Sequence, residues 1–383
     1  MENTNPPKKK KVVWKQYIAM VFFMLIGAAC GVLMAAYIDR GVNMDRSLWE
    51  EIVTLIGLLI GMYVAIFIQL IIHEAGHLVF GLVSGYKFSS FRIFSFMWVK
   101  ENEKIKLKRL TIAGTGGQCL MIPPEMKDGK LPVVLYNLGG SLMNVIAGLI
   151  FLGLFFLSQT MSLLSTMALM LAVVGFILAI MNGVPMRMGM VDNDGYNAFS
   201  LTRNSEAMQA FWVQMKVNGQ IAKGVRLKEM PDEWFQIPSD EAMKNSMIVV
   251  IGVFACNRLM DAQRFEEADQ LMEHMLEIDS GMVDLHRNLM ICDRMYCELI
   301  GTNRREVLEE MFTKEQKKFM KQMKNFPSVL RTEYVYALIG EKDTAKADKF
   351  KEQFEKRAKF YPYENEVQSE RELMEIAERK EMA

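Results

Sequence analysis

Long apolar runs crowd the first half of the chain, at residues 17–38, 52–85, 133–157 and 163–184, and none of comparable length follows. A helix rises about 1.5 Å per residue, so roughly 20 apolar residues cross the hydrocarbon layer of a bilayer. Each of the four runs meets that length, which predicts four transmembrane helices. Lys8 to Lys11 and Lys15 lie ahead of the first, in a basic segment at 1–16. The apolar stretch of a signal peptide is only about 7–15 residues, so the first run reads as an uncleaved helix whose N-terminus faces the cytoplasm.

Between the second and third runs the period changes. Phe88 to Lys100 is rich in aromatic and β-branched residues, Glu101-Asn102-Glu103-Lys104 is a turn, and Ile105 to Ala113 alternates apolar with basic. This predicts a β-hairpin over 88–113, with room for a bulge at Lys108-Arg109, where the alternation shifts phase. Gly114 to Gly117 and Pro123-Pro124 turn the chain back. Beyond residue 197 the pattern is that of soluble amphipathic helices. Met247 to Cys256 is apolar for too short a stretch to span. Leu259 to Asp279 has the rhythm of a tetratricopeptide helix pair, and Leu330 to Pro362 repeats it with Ala345, Ala347, Phe350 and Phe354 at helical spacing. The expected fold is therefore an α-helical polytopic membrane protein, with a core at 52–197, followed by a soluble all-α helical-repeat domain at 198–383.

Composition sharpens this picture. Of 383 residues 51% are hydrophobic, and 45 basic side chains balance 45 acidic ones. A zero net charge offers no broad basic footprint for nucleic acid. Cys30, Cys119, Cys256, Cys292 and Cys297 form no C-x-x-C pair and read as buried, reduced thiols. The 33 methionines, Met186, Met188 and Met190 among them, read as flexible packing residues rather than soft-metal ligands.

The chemistry gathers in the second run, which Gln69, His73, Glu74 and His77 interrupt. His73-Glu74-Ala75-Gly76-His77 is an H-E-x-x-H, and two of the four histidines fall within it. Positions i and i+4 share a helix face, so both imidazoles reach one metal ion while Glu74 stands beside it as a base. Chance copies of this motif exist in ordinary helices. Ionisable groups at membrane depth cost roughly 2.5 kcal/mol or more apiece, which makes an intramembrane cluster a functional site by default. Asn144 is polar within the third run, as a helix–helix hydrogen-bonding group or as one facing the site. The fourth run ends at Asn182-Gly183-Val184-Pro185, where proline opens the backbone. Asp192 and Asp194-Gly195 follow, on the side where the histidines end. Either aspartate has a bland reading as a turn or cap residue.

In this order the motifs resemble the site-2 protease family, zinc metalloproteases that cut peptide bonds within membranes. His73 to His77 is similar to its first motif, and the hairpin ending at Gly116-Gly117 to its membrane-associated β element. Gly140-Ser141-Leu142-Met143-Asn144 resembles its Gly-Pro-x-x-Asn element with serine in place of proline. Asn182-x-x-Pro185 with Asp194-Gly195 resembles the motif that supplies the third ligand. Asp194 stands twelve residues after Asn182, against about eight in the family, which keeps Asp192 as a competitor. No domain of PDZ type lies between the third and fourth runs.

The resemblance implies one Zn2+ per chain, held by His73, His77 and Asp194, with Glu74 as the catalytic base and Asn144 and Asn182 orienting substrate. It implies an intramembrane endopeptidase of the cell membrane, acting on membrane-anchored regulators, signal-peptide remnants or peptide precursors. The C-terminal repeats, cytoplasmic by this topology, would be free for a cytosolic partner. The rival reading is a non-catalytic membrane receptor or scaffold that presents the repeats.

Overall fold

The computed structural model describes residues 15–41, 47–101, 104–111, 115–158, 162–186 and 192–382. Lysines 8–11, the turn residues Asn102 and Glu103, the hairpin end at 112–114 and the methionines at 188 and 190 lie outside them. The chain divides into two units, Met1–Gln69 with Ser141–Asn197 and Leu70–Gly140 with Ala198–Ala383. Each boundary falls inside a continuous helix.

In the first unit, α1 (Lys15–Gly41) is a helix of 27 residues. Among the described residues three helices are long and apolar enough to cross a membrane. They are α2 (Leu48–Val83), α3 (Val133–Leu157) and α4 (Leu163–Gly183). Ile26, Cys30 and Met34, spaced four apart on α1, pack with Leu58 and Ala65 of α2 and with Met170, Val174 and Leu178 of α4. Along its most apolar stretch α4 is buried more deeply than α2. The Asn144 amide donates to the Gln69 backbone carbonyl at 2.9 Å and to Gln69 Oε1 at 2.8 Å. Gln69 in turn donates to the Leu171 carbonyl at 2.8 Å, so a single polar knot ties α2, α3 and α4. Gly175 leaves room for it, since a Cβ there would meet the Gln69 amide. The helices then end where proline requires: Val184 caps α4 in an extended conformation, one residue before Pro185.

In the second unit the expected hairpin is a four-stranded antiparallel sheet. Its strands are β1 (Lys87–Ile93), β2 (Phe96–Glu101), β3 (Lys104–Arg109) and β4 (Gly117–Ile122), in the order β3-β2-β1-β4. β2 ends at Glu101 and β3 begins at Lys104, which pair with each other. The first predicted strand is broken in two by a turn at Phe94-Ser95, with Phe94 at φ 50°. The glycine-bearing stretch expected only to turn the chain starts β4. The register shift lies on β1, between Phe88 and Ser90, and not at Lys108-Arg109, whose pairing with β2 is regular.

The rest of this unit is helical: α5 (Asp194–Arg203, begun in the first unit), α6 (Ser205–Ile221), α7 (Val249–Asp261), α8 (Phe265–Glu277), α9 (Asp284–Ile300), α10 (Arg305–Met311), α11 (Lys314–Gln322), α12 (Pro327–Val335), α13 (Thr344–Ala358) and α14 (Glu364–Glu381). Met97 and Val99, alternate residues on one face of β2, are fully buried in a single core with Leu110 and helices α7 to α10 and α12 to α14. Phe96, Trp98, Ile105 and Leu107, on the opposite face of the sheet, are exposed. Tyr86, Cys119 and Met121 join a second core with Tyr136 and the inner face of α6.

Candidate metal centre

His73, Glu74 and His77 are all buried on α2. The two Nε2 atoms stand 3.2 Å apart, with the rings edge to face. Two nitrogens bound to one tetrahedral zinc at about 2.05 Å would be separated by roughly 3.3 Å. The pair is thus already spaced as an edge of such a site. His77 Nδ1 faces the Tyr136 backbone carbonyl at 2.8 Å. A proton on Nδ1 donated to that carbonyl leaves the Nε2 lone pair for a metal, the usual outer support of a ligating histidine. Tyr136 is itself fixed, its hydroxyl donating to the Cys119 carbonyl at 2.8 Å and its ring stacked on Tyr86 at 4.7 Å.

Glycines make the space for these side chains. A Cβ on Gly140 would stand 2.5 Å from the His73 ring, and one on Gly117 would stand 2.5 Å from Glu74 Oε1. Gly139 and Gly76 let α3 and α2 meet backbone to backbone in the turn between. The Gly116-Gly117 and Gly139-Gly140 pairs therefore have a spatial cause. They are cradles that any side chain would fill.

The sequence does not single out Arg92. Its buried guanidinium donates to the Phe94 carbonyl at 2.8 Å, to Thr115 Oγ1 at 2.6 Å and to the Gly117 carbonyl at 3.3 Å, clasping the ends of β1 and β4. Burial lowers its pKa from the usual range, and the negative charge of Glu74 pulls the other way. Arg92 thereby fixes the strand on which Glu74 rests and sets a cation near its carboxylate. A lone arginine in an alternating strand gives no sign of this.

Asp194 is the first residue of α5, where the positive end of the helix dipole favours an ionised carboxylate. The residue that holds this junction is buried Asn193, which the sequence does not mark either. Its amide nitrogen donates to the Met181 and Val184 carbonyls at 2.8 and 2.6 Å, and its oxygen accepts from the backbone N–H groups of Met186 and Tyr196, each at 2.9 Å. One side chain so satisfies the opened end of α4 and caps α5. Gly195 lies within α5, and a Cβ there would collide with the Gly183 and Val184 backbone.

One ligand atom from each of His73, His77 and Asp194 lies within 4.8 Å of the others, and Asp192 is not in this group. Two imidazoles and a carboxylate fit zinc and leave a fourth position for water. Asn144 is committed to the knot at Gln69, and the Asn182 amide donates within α4 to the Leu178 carbonyl at 3.1 Å. His274 bonds exposed Asp240 at 2.8 Å and belongs to no such group among the described residues.

Residues 51–219 match the family model described as Peptidase M50B-like, a stretch that contains His73, Glu74, His77 and Asp194. Among curated proteins and solved structures, none matches the chain.

Proposed function

The chain belongs, through residues 51–219, to the site-2 protease family of M50B-like peptidases, and from that premise we propose that it is a zinc-dependent endopeptidase cutting within or beside membrane-spanning segments. The reading is carried by the convergence of His73, His77 and Asp194 beside a buried glutamate. His73 and His77 offer neutral nitrogens and Asp194 a carboxylate oxygen, with Asp194 preferred to Asp192. Zinc, when bound there, acidifies a water and polarises the scissile carbonyl. Glu74 takes the proton from that water and hands it to the departing amine, so its carboxylate must be ionised at the start and face the same space as the ligands. Gly117 and Arg92 hold it there.

Substrates of this reading are membrane-anchored regulators, signal-peptide remnants or peptide precursors. A substrate helix hides its carbonyls in internal hydrogen bonds, and the outer edge of β3 is where an unwound segment would add as a strand. Asn144 and Asn182 are assigned to orienting substrate backbone once it enters. We read α1 as a fourth span, the cell membrane as the location, and the N-terminus and helical region as cytoplasmic. The pairs α7–α8 and α12–α13 are taken as units of a tetratricopeptide-like repeat that docks a cytosolic partner.

The test is the membrane peptidome of cells making wild type or Glu74→Gln, followed by cleavage of the identified substrate with purified protein. Glu74→Gln should keep about one zinc per chain and lose cleavage by roughly 10²-fold or more. Equal cleavage by both proteins would remove the reading, and so would a wild-type chain that binds no zinc.

A further inference from the structure

A cleft of about 160 Å³ opens within the second unit, far along the chain from the metal centre, and its charged lining is Arg226, Asp261, Asp293, Arg331, Glu366 and Glu370. Four carboxylates thus face two guanidiniums. Each guanidinium is already shared by two acids: Arg226 donates to Asp261 at 2.5 Å and Glu372 at 2.6 Å, and fully buried Arg331 to Glu370 at 2.8 Å and to Asp293. Glu366 has no cation partner among the described residues. It accepts instead from the buried Tyr361 hydroxyl, which donates at 2.9 Å. Burial pushes the Glu366 carboxyl up to about 7, with the charge of Glu370 adding to the effect.

A second observation points the same way. Asn365 also lines the cleft, its amide nitrogen donating to the Val225 carbonyl at 2.8 Å, while its amide oxygen is buried with no hydrogen-bond partner. Buried acceptors are normally satisfied, and buried carboxylates normally paired. The wall therefore carries more carboxylates than cations and an acceptor with no donor, and Leu289, Phe326 and Leu373 supply an apolar strip beside it. Ammonium and guanidinium groups are donors without acceptors, carried on methylene stems. At about 30 Å³ per water, the cleft holds roughly five waters or the end of one basic side chain.

The cleft wall is continuous with the sheet. In the segment 360–365, Tyr361 and Asn365 face the cleft, and the Phe360 carbonyl accepts the Arg109 N–H at 2.8 Å. We propose that this cleft binds an alkyl-guanidinium or alkyl-ammonium group, free or on a protein segment, and that segment 360–365 carries its occupancy to the sheet.

The site does not rest on the protease reading, and the test keeps the two apart by using full-length Glu74→Gln protein, which has no turnover. Acetyl-arginine amide and an arginine-containing dodecapeptide are titrated calorimetrically, with hydrogen exchange followed at Arg109. Binding is expected, weakened about tenfold or more by Glu366→Gln and unchanged by Glu352→Gln, an exposed residue outside the cleft. The amide introduced by Glu366→Gln can still accept from Tyr361, so the fold should hold, and an unchanged melting temperature verifies it. Tighter binding of the peptide identifies a protein segment as the occupant, and equal or tighter binding of the amide a small molecule. Failure of both probes to bind at about 10 mM, or equal binding by Glu366→Gln, overturns the site. Binding that leaves Arg109 exchange unaltered overturns the link to the sheet.

Discussion

At the scale of single residues, the centre depends on missing side chains as much as on the ligands. Gly117 is where the β4 backbone meets Glu74, and a Cβ there would stand 2.5 Å from the carboxylate, nearer than the roughly 3 Å a real Cβ tolerates. Gly117→Ala should therefore push the carboxylate aside without touching a ligand. Misplacing a catalytic group by about 1 Å costs on the order of 10²-fold in rate. Cleavage should fall by about that factor while zinc content and melting temperature stay near wild type. A variant that cleaves normally would show that Glu74 need not sit where it does. His73, Glu74 and His77 were legible because an ionisable group is too costly within an apolar run to persist there without a function. Arg92 and Tyr136 were not, because one acts through three backbone and hydroxyl oxygens and the other through its own carbonyl, which no side-chain pattern reveals.

At the scale of elements, apolar length fixes α2, α3 and α4, and proline stops α4, so these were readable. The sheet was read only in part. Phe94 takes a positive φ in a two-residue turn whose usual signal is Asn-Gly or Asp-Gly, and without that signal β1 and β2 look like one strand. The junction of α4 with α5 was visible as Pro185 and Asp194, but not the side chain that binds its ends. Asn193 makes four hydrogen bonds there. Asn193→Ala frees all four partners and the α5 cap, worth about 1 kcal/mol for the cap alone. The α4 and α5 helices should persist, while Asp194 loses its fixed place. Losing an outer-shell support of this kind typically weakens metal binding 10- to 100-fold, measurable by competition with a chromogenic zinc chelator. Affinity equal to wild type would mean that Asp194 is held by something else, or that it is not the third ligand.

At the scale of the whole chain, the helical region is easily taken for an appendage hung on a membrane enzyme, as its charge and repeat-like rhythm invite. Its core argues otherwise. Met97 and Val99 on β2, with Leu110 just after β3, are buried among side chains of α7 to α10 and α12 to α14. Each would lose about 1.5–3 kcal/mol of burial if those helices were removed. The opposite sheet face already exposes Phe96, Trp98, Ile105 and Leu107. A chain lacking residues 249–383 would thus present β2 apolar on both faces, and its β1 neighbour carries the Arg92 that clasps Gly117 against Glu74. Deletion should accelerate amide exchange across β1 to β4 and abolish cleavage, even of a substrate that needs no recruitment. Zinc should bind more weakly too, because Tyr136, which supports His77, is itself anchored to Cys119 on β4 of the same sheet. A truncated protein that kept its sheet protection and full turnover would show the helices to be a separable recruiting module. The shared core predicts instead that they are part of the wall behind the catalytic glutamate.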